Sequence, residues 1–315
     1  LLGESYDGLQ SWRAVPSCLL ALGELDGRHL VTIEGLAKNG LTPVMQALLA
    51  EGASQCGFCS PGIVVALSAF LLDSPRIDPL QAIVAIEGNL CRCTGYGSIR
   101  RAARRLAEEF ADLPPEFGPR LETLAARGVF PPSLAALMTR FPQPGRVEHA
   151  TIPRRSLAIG SGSDWFVRHP YPEHGRRLVF LDHDQALRHI ELKRDCLELG
   201  AGVSWRDFFA HPLSRSLFPG MMAMEERMAS LPIRNRATIA GNIVNASPIG
   251  DLSVALLALG ASLSLRSATG TRQLPLDSFF LDYRKTALHP GEIVEAILIP
   301  VPGAGARFNF EKVSK

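Results

Sequence analysis

The sequence predicts a multidomain α+β protein in which a small four-helix bundle precedes a mixed α+β domain. Three segments begin with a capping residue followed by proline, at Thr42-Pro43, Ser60-Pro61 and Asp78-Pro79, a pattern typical of helix N-termini. Prolines then recur between residues 113 and 153, and short β-forming runs follow. At 315 residues the chain is long enough for two domains.

The bundle helices are expected at residues 43–51, 61–72, 79–87 and 98–110, because apolar residues recur there at helical spacing. Arginines occupy the opposite face of the fourth helix, as in a solvated surface. The side chains predicted to face inward are Val44, Ala47, Leu48, Ile63, Val64, Leu67, Phe70, Leu71, Leu80, Ile83, Val84, Ile99, Ala102, Ala103, Leu106 and Phe110.

Composition excludes several classes of protein. The chain is 46% hydrophobic and 20% charged with a net charge of +2, so no nucleic-acid partner or anionic membrane is indicated. It has no apolar run of the roughly 18 to 20 residues that a membrane helix requires. Six cysteines, four of them closely paired, fit a reducing compartment. We expect a cytoplasmic protein whose true start lies upstream of Leu1.

The β-forming runs predict the strands of the second domain. They are separated by turn-forming residues and by short helical patterns, which indicates an α+β arrangement. The expected strands are 157–159, 178–181, 190–192, 197–199, 262–265 and 295–299.

Four cysteines form two close pairs that predict a metal site. Cys56 and Cys59 are spaced C-x2-C, and Cys91 and Cys93 are spaced C-x-C. Thiolates at such spacings bind zinc or an iron–sulfur cluster. Each pair precedes a predicted helix, whose N-terminal partial charge stabilises an anionic thiolate–sulfide cluster, so we favour an electron-transfer site. Structural zinc is the alternative, and a disulfide framework is the weakest interpretation.

Two segments of the second domain carry chemical patterns. Residues 157–165 form a strand that enters a glycine–serine turn, whose successive N–H groups can bind phosphate; an ordinary tight turn is the alternative. A Rossmann fold is disfavoured, because Trp165 replaces the third glycine. In residues 236–251, Asp251 can act as a helix N-cap, and Ser247 lacks the G-x-S-x-G context of a hydrolase nucleophile.

The cysteine strings QCGFCSPG and GNLCRCTGY resemble the second, all-α [2Fe–2S] domain of the molybdenum hydroxylase family. That resemblance covers about residues 40–110 and implies that Cys56, Cys59, Cys91 and Cys93 ligate a [2Fe–2S] cluster. Residues 1–36, with VPSCLL and LDGRHLVTIEG, resemble the end of the family's plant-ferredoxin-like, β-grasp [2Fe–2S] domain. Cys18 would be the fourth ligand of that upstream cluster, and the other three cysteines are absent from this sequence.

Residues 157–165 and 236–251 together resemble the flavin-binding domain of the same family. The resemblance implies that one loop surrounds the FAD pyrophosphate, that a second segment lies near the phosphates, that Asp251 binds ribityl or adenosine hydroxyls, and that Met228, Val294 and Lys312 lie beside the flavin. The implied loop residues are Ala158, Ile159, Gly160, Ser161, Gly162, Ser163, Asp164 and Trp165, and the implied second segment contributes Thr238, Gly241, Asn242 and Ser247.

The resemblance also implies the domain order and the function. We expect a ferredoxin-like remnant at 1–36, the all-α [2Fe–2S] domain at 37–112, a linker at 113–132 and an FAD-binding domain at 133–315 that is truncated at its end. Fusion of iron–sulfur and flavin domains is typical of the xanthine-oxidising branch. A molybdopterin-binding large subunit would then hydroxylate xanthine, and this chain, in a heterotetramer or larger assembly, would pass electrons through FAD to NAD.

Two alternatives to that function stay open. One is an electron-transfer subunit of another molybdenum hydroxylase, acting with a partner on an aldehyde, carbon monoxide or an N-heterocycle. The other, of a different class, is a zinc-stabilised interaction module without turnover. The identity of the bound metal separates the two classes.

Overall fold

The structure is a computed structural model that describes residues 1–6, 9–140, 156–171, 175 and 177–313. The described residues form two compact units. The first holds residues 1–16, 21–140 and 230–232, and the second holds residues 17–20 together with the described parts of 156–229 and 233–313. Within the described ranges, no helix is both long and hydrophobic enough to span a bilayer.

The first unit begins with a small antiparallel sheet of order β2-β1-β3 and continues as a helical bundle. Its elements are β1 (Leu2–Tyr6), β2 (Leu9–Arg13), β3 (His29–Leu30), α1 (Ile33–Leu36), α2 (Pro43–Ala50), α3 (Ser60–Asp73), α4 (Pro79–Ile86), α5 (Gly97–Glu109), α6 (Phe117–Ala126) and α7 (Pro132–Met138). The four predicted helices correspond to α2 to α5, with ends that differ by no more than one residue.

Two of the three predicted caps are present. Thr42 accepts a hydrogen bond from the Met45 N–H, and Asp78 accepts from the first-turn N–H groups of α4. The Ser60 cap is wrong, because α3 begins one residue earlier and Cys59 takes the capping position without a side-chain bond. Ser60 instead approaches the Ser54 hydroxyl at 3.0 Å. The first cysteine pair therefore directly adjoins the start of α3.

The predicted inward faces are confirmed for α2, α3 and α5, whose named apolar residues are all buried. In α4 the prediction is wrong for Leu80, which is 57% exposed, whereas Ile83 and Val84 are half-buried; the fully buried residues are Ala82, Ala85 and Ile86. Helix α4 is short and mostly apolar, so its periodicity does not single out one face. Its alanines allow it to pack closely against α5.

Residues 113–132, expected to be a linker, are packed into the first unit. Helix α6 contacts α3, and α7 contacts α6. Leu124, Val129 and Phe130 are fully buried in the first core, because the two short helices between the prolines are amphipathic. The other domain limits stay predictions, and residues 141–155 lie outside the described residues.

The second unit is built on a five-stranded antiparallel sheet of order β6-β7-β12-β8-β9 and a two-stranded parallel pair of β4 and β5. Its strands are β4 (Ser156–Ile159), β5 (Arg177–Phe180), β6 (Ile190–Lys193), β7 (Cys196–Gly200), β8 (Ser262–Ser267), β9 (Gly270–Pro275), β10 (Phe280–Asp282), β11 (Lys285–Thr286) and β12 (Ile293–Pro300). All six predicted strands are present, and β9 to β11 were not predicted.

Short helices accompany these strands. They are α8 (Trp165–Arg168), α9 (Trp205–Ala210), α10 (Pro212–Leu217), α11 (Leu231–Arg234), α12 (Ile239–Asn245) and α13 (Asp251–Ala258). Helix α12 contacts both α13 and the central strand β12. The core beneath them includes Leu263, Ile297 and Ile299, all completely buried. This packing supports the loops that follow β4 and precede α12 and β12.

Candidate functional site

The four paired cysteines of the first unit associate two by two. The sulfur atoms of Cys56 and Cys93 lie 3.5 Å apart, and the thiols of Cys59 and Cys91 form a second hydrogen-bonded pair. All four are free thiols, and none forms a disulfide. Each pair therefore joins one cysteine from the loop before α3 to one from the loop before α5.

Local hydrogen bonds set the acidity of these thiols. The Thr94 hydroxyl, 3.2 Å from the Cys91 sulfur, lowers the pKa of Cys91 to about 7. A backbone hydrogen bond from Phe58 lowers the pKa of Cys56, whereas burial raises the pKa of Cys59. The hydrogen bond to Cys56 raises the pKa of Cys93. Since metals bind the thiolate, a low pKa at Cys91 favours metal uptake near neutral pH.

The second loop is held by Tyr96, which precedes α5 in a left-handed conformation with φ of 65°. Its hydroxyl accepts the Cys91 N–H at 2.9 Å, and its own N–H donates to the Thr94 hydroxyl. A non-glycine residue with positive φ is uncommon and indicates a constrained turn. The turn folds the C-x-C segment back on itself, so Cys91 and Cys93 each meet a cysteine of the other loop.

The arrangement fits a [2Fe–2S] cluster better than a single zinc ion. In such a cluster each of two irons takes two cysteine thiolates, and two sulfurs held about 2.3 Å from one tetrahedral metal lie about 3.8 Å apart. The Cys56–Cys93 separation of 3.5 Å is close to that value. In the part of the chain that the structure describes, no three His, Cys, Asp or Glu side chains gather as one metal ion requires.

Two large apolar side chains that adjoin the cysteines in sequence are exposed. Phe58, between the cysteines of the first pair, is 93% exposed, and Leu90, just before the second pair, is 83% exposed. Exposed apolar groups beside a functional site are typical of a surface that another molecule covers.

Cys18, the predicted ligand of an upstream cluster, is exposed in the short turn Ser17–Leu19. This turn groups with the second unit, where Arg236 donates to the Leu19 carbonyl at 2.7 Å. The role of Cys18 as a ligand stays a prediction.

The second unit contains a cleft of about 380 Å³, within the usual range of small-molecule sites. The whole predicted loop, Ala158 to Trp165, lines it, together with the predicted Thr238, Gly241, Asn242 and Val294. The end of β4, the start of α12 and the start of β12 thus meet around one space. Sequence positions as far apart as 158 and 294 were predicted to meet there, and the structure brings them together.

Glycines in the loop allow its close approach to α12. A Cβ atom on Gly160 would lie 2.4 Å from the Thr238 Oγ1 atom. Gly162 has φ of +72°, and a Cβ there would lie 2.5 Å from the Phe166 ring. The Thr238 hydroxyl is itself occupied as the cap of α12, accepting the Gly241 N–H at 3.0 Å. The turn therefore needs glycine at both positions.

Three polar atoms in the cleft wall are buried without a hydrogen-bond partner among the described residues. They are Ser161 Oγ, Asn242 Oδ1 and Asn245 Oδ1. An unsatisfied buried polar atom costs about 1–3 kcal/mol, so three in one wall indicate a polar ligand. FAD, with its phosphates, hydroxyls and large ring, fits a wall of small residues, free acceptors and apolar side chains.

Trp165 gives the cleft a rigid aromatic wall. Its ring stacks on His169 at a centroid distance of 4.6 Å and meets Phe166 edge to face at 5.1 Å. Helix α8 ends at Arg168, before Pro170, so no long Rossmann-type helix follows the turn.

Four predicted residues lie outside the cleft lining. Met228 is 1% exposed within the core, and Ser247 accepts the Ile249 N–H at 3.4 Å. Asp251 is the first residue of α13 and makes no cap bond, so the N-cap interpretation is wrong. Its carboxylate pairs with the Lys312 ammonium at 2.6 Å. Their roles toward a flavin stay predictions.

Sequence reasoning missed three polar residues of the lining, Arg168, Asn245 and Glu292. Asn245 stands in the same segment as Asn242, and only its unsatisfied buried oxygen reveals it. Glu292 precedes the predicted Val294, and Arg272 of β9 holds it through a paired contact. Because β9 was not predicted, nothing in the sequence indicated that partner.

Profiles of two known domain families match this chain. A [2Fe-2S] binding domain matches residues 32–104, and the FAD binding domain in molybdopterin dehydrogenase matches residues 159–302. The first range contains the four paired cysteines, and the second contains every cleft-lining residue named above except Ala158. The chain therefore carries both domains.

Relatives of known name include xanthine and aldehyde oxidising enzymes. A xanthine dehydrogenase from Dictyostelium discoideum is 28% identical over 91% of this chain and 26% of its own length. Aldehyde oxidase 1 from Cavia porcellus is 27% identical over 90% of this chain and 26% of its own length. The chain thus spans about a quarter of these relatives. The structure of a carbon monoxide dehydrogenase from Hydrogenophaga pseudoflava aligns with 52% of this chain and 57% of its own, at TM-score 0.48 and 23% identity.

Proposed function

We propose that this chain, an iron–sulfur and flavin member of the molybdenum hydroxylase family, is the part of such an enzyme that carries electrons between a molybdenum centre and a final acceptor. The observation that carries the proposal is that one chain holds both a doubly paired four-thiol site and a cleft with unsatisfied polar walls. Neither feature alone would indicate a redox chain, since thiols also bind zinc and clefts hold many ligands.

The residues that would hold each group are on this chain. Cys56, Cys59, Cys91 and Cys93 would hold a [2Fe–2S] cluster, and Cys18 would complete a second one with cysteines upstream. Residues 158–165, Thr238, Gly241 and Asn242 would hold FAD, with Asn245 as a further acceptor. When bound, iron–sulfur centres carry single electrons, and a flavin accepts them singly and releases them as a pair.

The protein contributes position and environment in this proposal. Tyr96 and Thr94 fix the second cysteine pair. Ser161 is buried, and the glycine turn lies directly against Thr238 at the start of α12. No side chain of this chain is assigned to substrate chemistry. The substrate would be oxidised on a separate molybdopterin-binding subunit.

The finer proposal is a subunit of a xanthine dehydrogenase that passes electrons to NAD. It is supported by the fusion of the two domains on one chain and by the likeness to xanthine dehydrogenases over 91% of the sequence. A cytoplasmic heterotetramer, with two copies of each subunit, is the assembly that we infer. Phe58 and Leu90 would be buried against the molybdopterin-binding partner.

Spectroscopy of the purified chain tests the electron-transfer function. The chain is reconstituted anaerobically with iron, sulfide and FAD, and its absorption and EPR spectra are recorded before and after dithionite. Bands of a flavin and a reducible [2Fe–2S] cluster are expected. A colourless protein with stoichiometric zinc would refute the proposal and support the zinc-stabilised module.

Activity of the whole complex tests the finer proposal. The chain is purified with its molybdopterin-binding partner, and urate formation from xanthine is followed with NAD as the acceptor. Urate with equivalent NADH is expected. Turnover of an aldehyde or an N-heterocycle in place of xanthine would refute xanthine as the substrate but would be consistent with the electron-transfer role.

A further inference from the structure

A carboxylate in the cleft wall of the second unit, Glu292, is paired with an arginine outside the wall, Arg272, whose side chain is 36% exposed. The Glu292 side chain is 8% exposed, and Arg272 binds it through a fork, Nε to Oε1 at 2.7 Å and Nη2 to Oε2 at 2.8 Å. Bidentate arginine–carboxylate contacts are strong and geometrically specific. Glu292 lines the cleft, whereas Arg272 does not.

Further bonds extend the pair to the chain around it. The second oxygen of Glu292 also accepts the His289 N–H at 2.8 Å, and Arg272 donates to the Ala287 carbonyl at 2.8 Å. Both carboxylate oxygens are therefore occupied by donors from the protein. The pair ties β9 to the loop of residues 287–292, which leads directly into β12.

That loop and the strand that follows it supply one wall of the cleft. Leu288, Ile293 and Val294 all line it. Ile293 and Val294, the first residues of β12, are 5% and 3% exposed and follow the loop directly. A carboxylate in this wall would also repel the negative diphosphate of FAD unless a cation compensated it.

We propose that Glu292 and Arg272 act as positioning residues for the flavin cofactor. Arg272 holds the loop so that Leu288 and Val294 present a fixed wall to FAD, and it neutralises a carboxylate that would otherwise oppose cofactor binding. The inference rests on the proposed function, since it takes the cleft as the FAD site. Neither residue is a direct ligand of the cofactor.

The test measures FAD affinity and the visible circular dichroism of the bound flavin in the full chain. Arg272→Gln removes the fork and leaves the nearly buried Glu292 carboxylate with only the His289 N–H and, at 3.7 Å, the His289 ring. It is expected to weaken FAD binding by roughly tenfold or more. Glu292→Gln removes that charge and is expected to weaken binding by only about threefold, through loss of the fork. The double variant is expected to bind FAD more tightly than Arg272→Gln alone.

Arg272→Lys separates charge from geometry. Lysine keeps the positive charge but cannot form the fork, so we expect an affinity between those of wild type and Arg272→Gln, with an altered flavin dichroism. Arg266→Gln is the matched control, because Arg266 pairs with Glu295 at 2.8 Å on the neighbouring strands β8 and β12 and neither residue lines the cleft. It is expected to change neither FAD affinity nor dichroism.

Two results would overturn the inference. One is a lower melting temperature of Arg272→Gln and Glu292→Gln with wild-type FAD affinity and dichroism below that temperature, which would make the pair only structural. The other is a double variant that binds more weakly than Arg272→Gln. If Arg272→Gln fails to fold, the FAD affinity and flavin dichroism of Arg272→Lys and Glu292→Gln still test whether the pair positions the flavin. Failure of the wild-type chain to bind FAD would instead refute the proposed function.

Discussion

Gly160→Ala tests whether the glycine–serine turn must touch the start of α12. The new Cβ would lie 2.4 Å from Thr238 Oγ1, far inside van der Waals contact. The threonine hydroxyl cannot easily move, because it accepts the Gly241 N–H as the cap of α12. Either the turn shifts away from α12, or the cap is lost.

The expected cost combines two terms. Overpacking by one methyl group costs about 1–3 kcal/mol, and loss of a threonine cap costs about 1 kcal/mol. We therefore expect Gly160→Ala to lower the free energy of unfolding of the second unit by about 3 kcal/mol. For a unit of this size, that corresponds to a fall in its Tm of roughly 6–12 °C.

A double-mutant cycle isolates the contact. Thr238→Ala alone is expected to cost about 1 kcal/mol through the lost cap. Because it also removes the atom that the new methyl group meets, Gly160→Ala/Thr238→Ala is expected to be more stable than Gly160→Ala, with a coupling of about 2 kcal/mol. Gly303→Ala is the control, since a Cβ there meets nothing within 4 Å, and it is expected to change stability by less than about 0.5 kcal/mol.

The assays are urea unfolding followed by flavin-independent circular dichroism, and FAD titration below the transition. FAD binding is expected to weaken in Gly160→Ala and to recover partly in the double variant. Additive costs in the cycle, or an unaffected Gly160→Ala, would refute the close approach of the turn to α12. A lower free energy of unfolding without any change in FAD affinity would show that the turn is not part of the cofactor site.

Three further predictions concern the two proposed sites. Cys91→Ser is expected to abolish one [2Fe–2S] EPR signal of the reduced protein, and an unchanged spectrum would exclude Cys91 as a ligand. Phe58→Asp is expected to weaken copurification with the molybdopterin-binding partner at least about tenfold while the cluster spectrum persists, whereas Leu49→Asp on α2, at a site already 56% exposed, should not. The hydrogen bonds from Arg272 lower the pKa of Glu292 to about 2. A carboxyl group with a lowered pKa stabilises the folded state above about pH 4.5, and this stabilisation is lost as the pH falls toward 2. The stability difference between wild type and Glu292→Gln should therefore shrink between pH 5 and 2, and a constant difference in urea unfolding would contradict the ion pair.

The helices of the first unit could be predicted from local chemistry. Proline after Thr42 or Asp78 marks a helix start whatever the tertiary fold. The spacing of apolar residues in α3 and α5 indicates which face of each helix is buried. The prediction failed where local chemistry is ambiguous. Helix α4 is too uniformly apolar to show a face, and its orientation depends on the close packing of alanines against α5.

The second unit shows the same division at the level of the sheet. Strands rich in leucine, isoleucine and valine were predicted, whereas β9, with the sequence Gly-Thr-Arg-Gln-Leu-Pro, was missed. Such a strand is specified by its antiparallel pairing with β8 more than by its own propensity. Missing β9 also meant missing Arg272.

The sequence by itself indicated where both sites lie, because thiol spacing and glycine turns are properties of a few neighbouring residues. It identified the four cysteines and the loop of residues 158–165. Only the tertiary structure decided how the thiols pair, with Cys56 beside Cys93. It also decided which distant side chains share the cleft, from Asn245 to the Arg272-bound Glu292. These arrangements depend on contacts between residues far apart in the chain, and a short stretch of sequence does not specify such contacts.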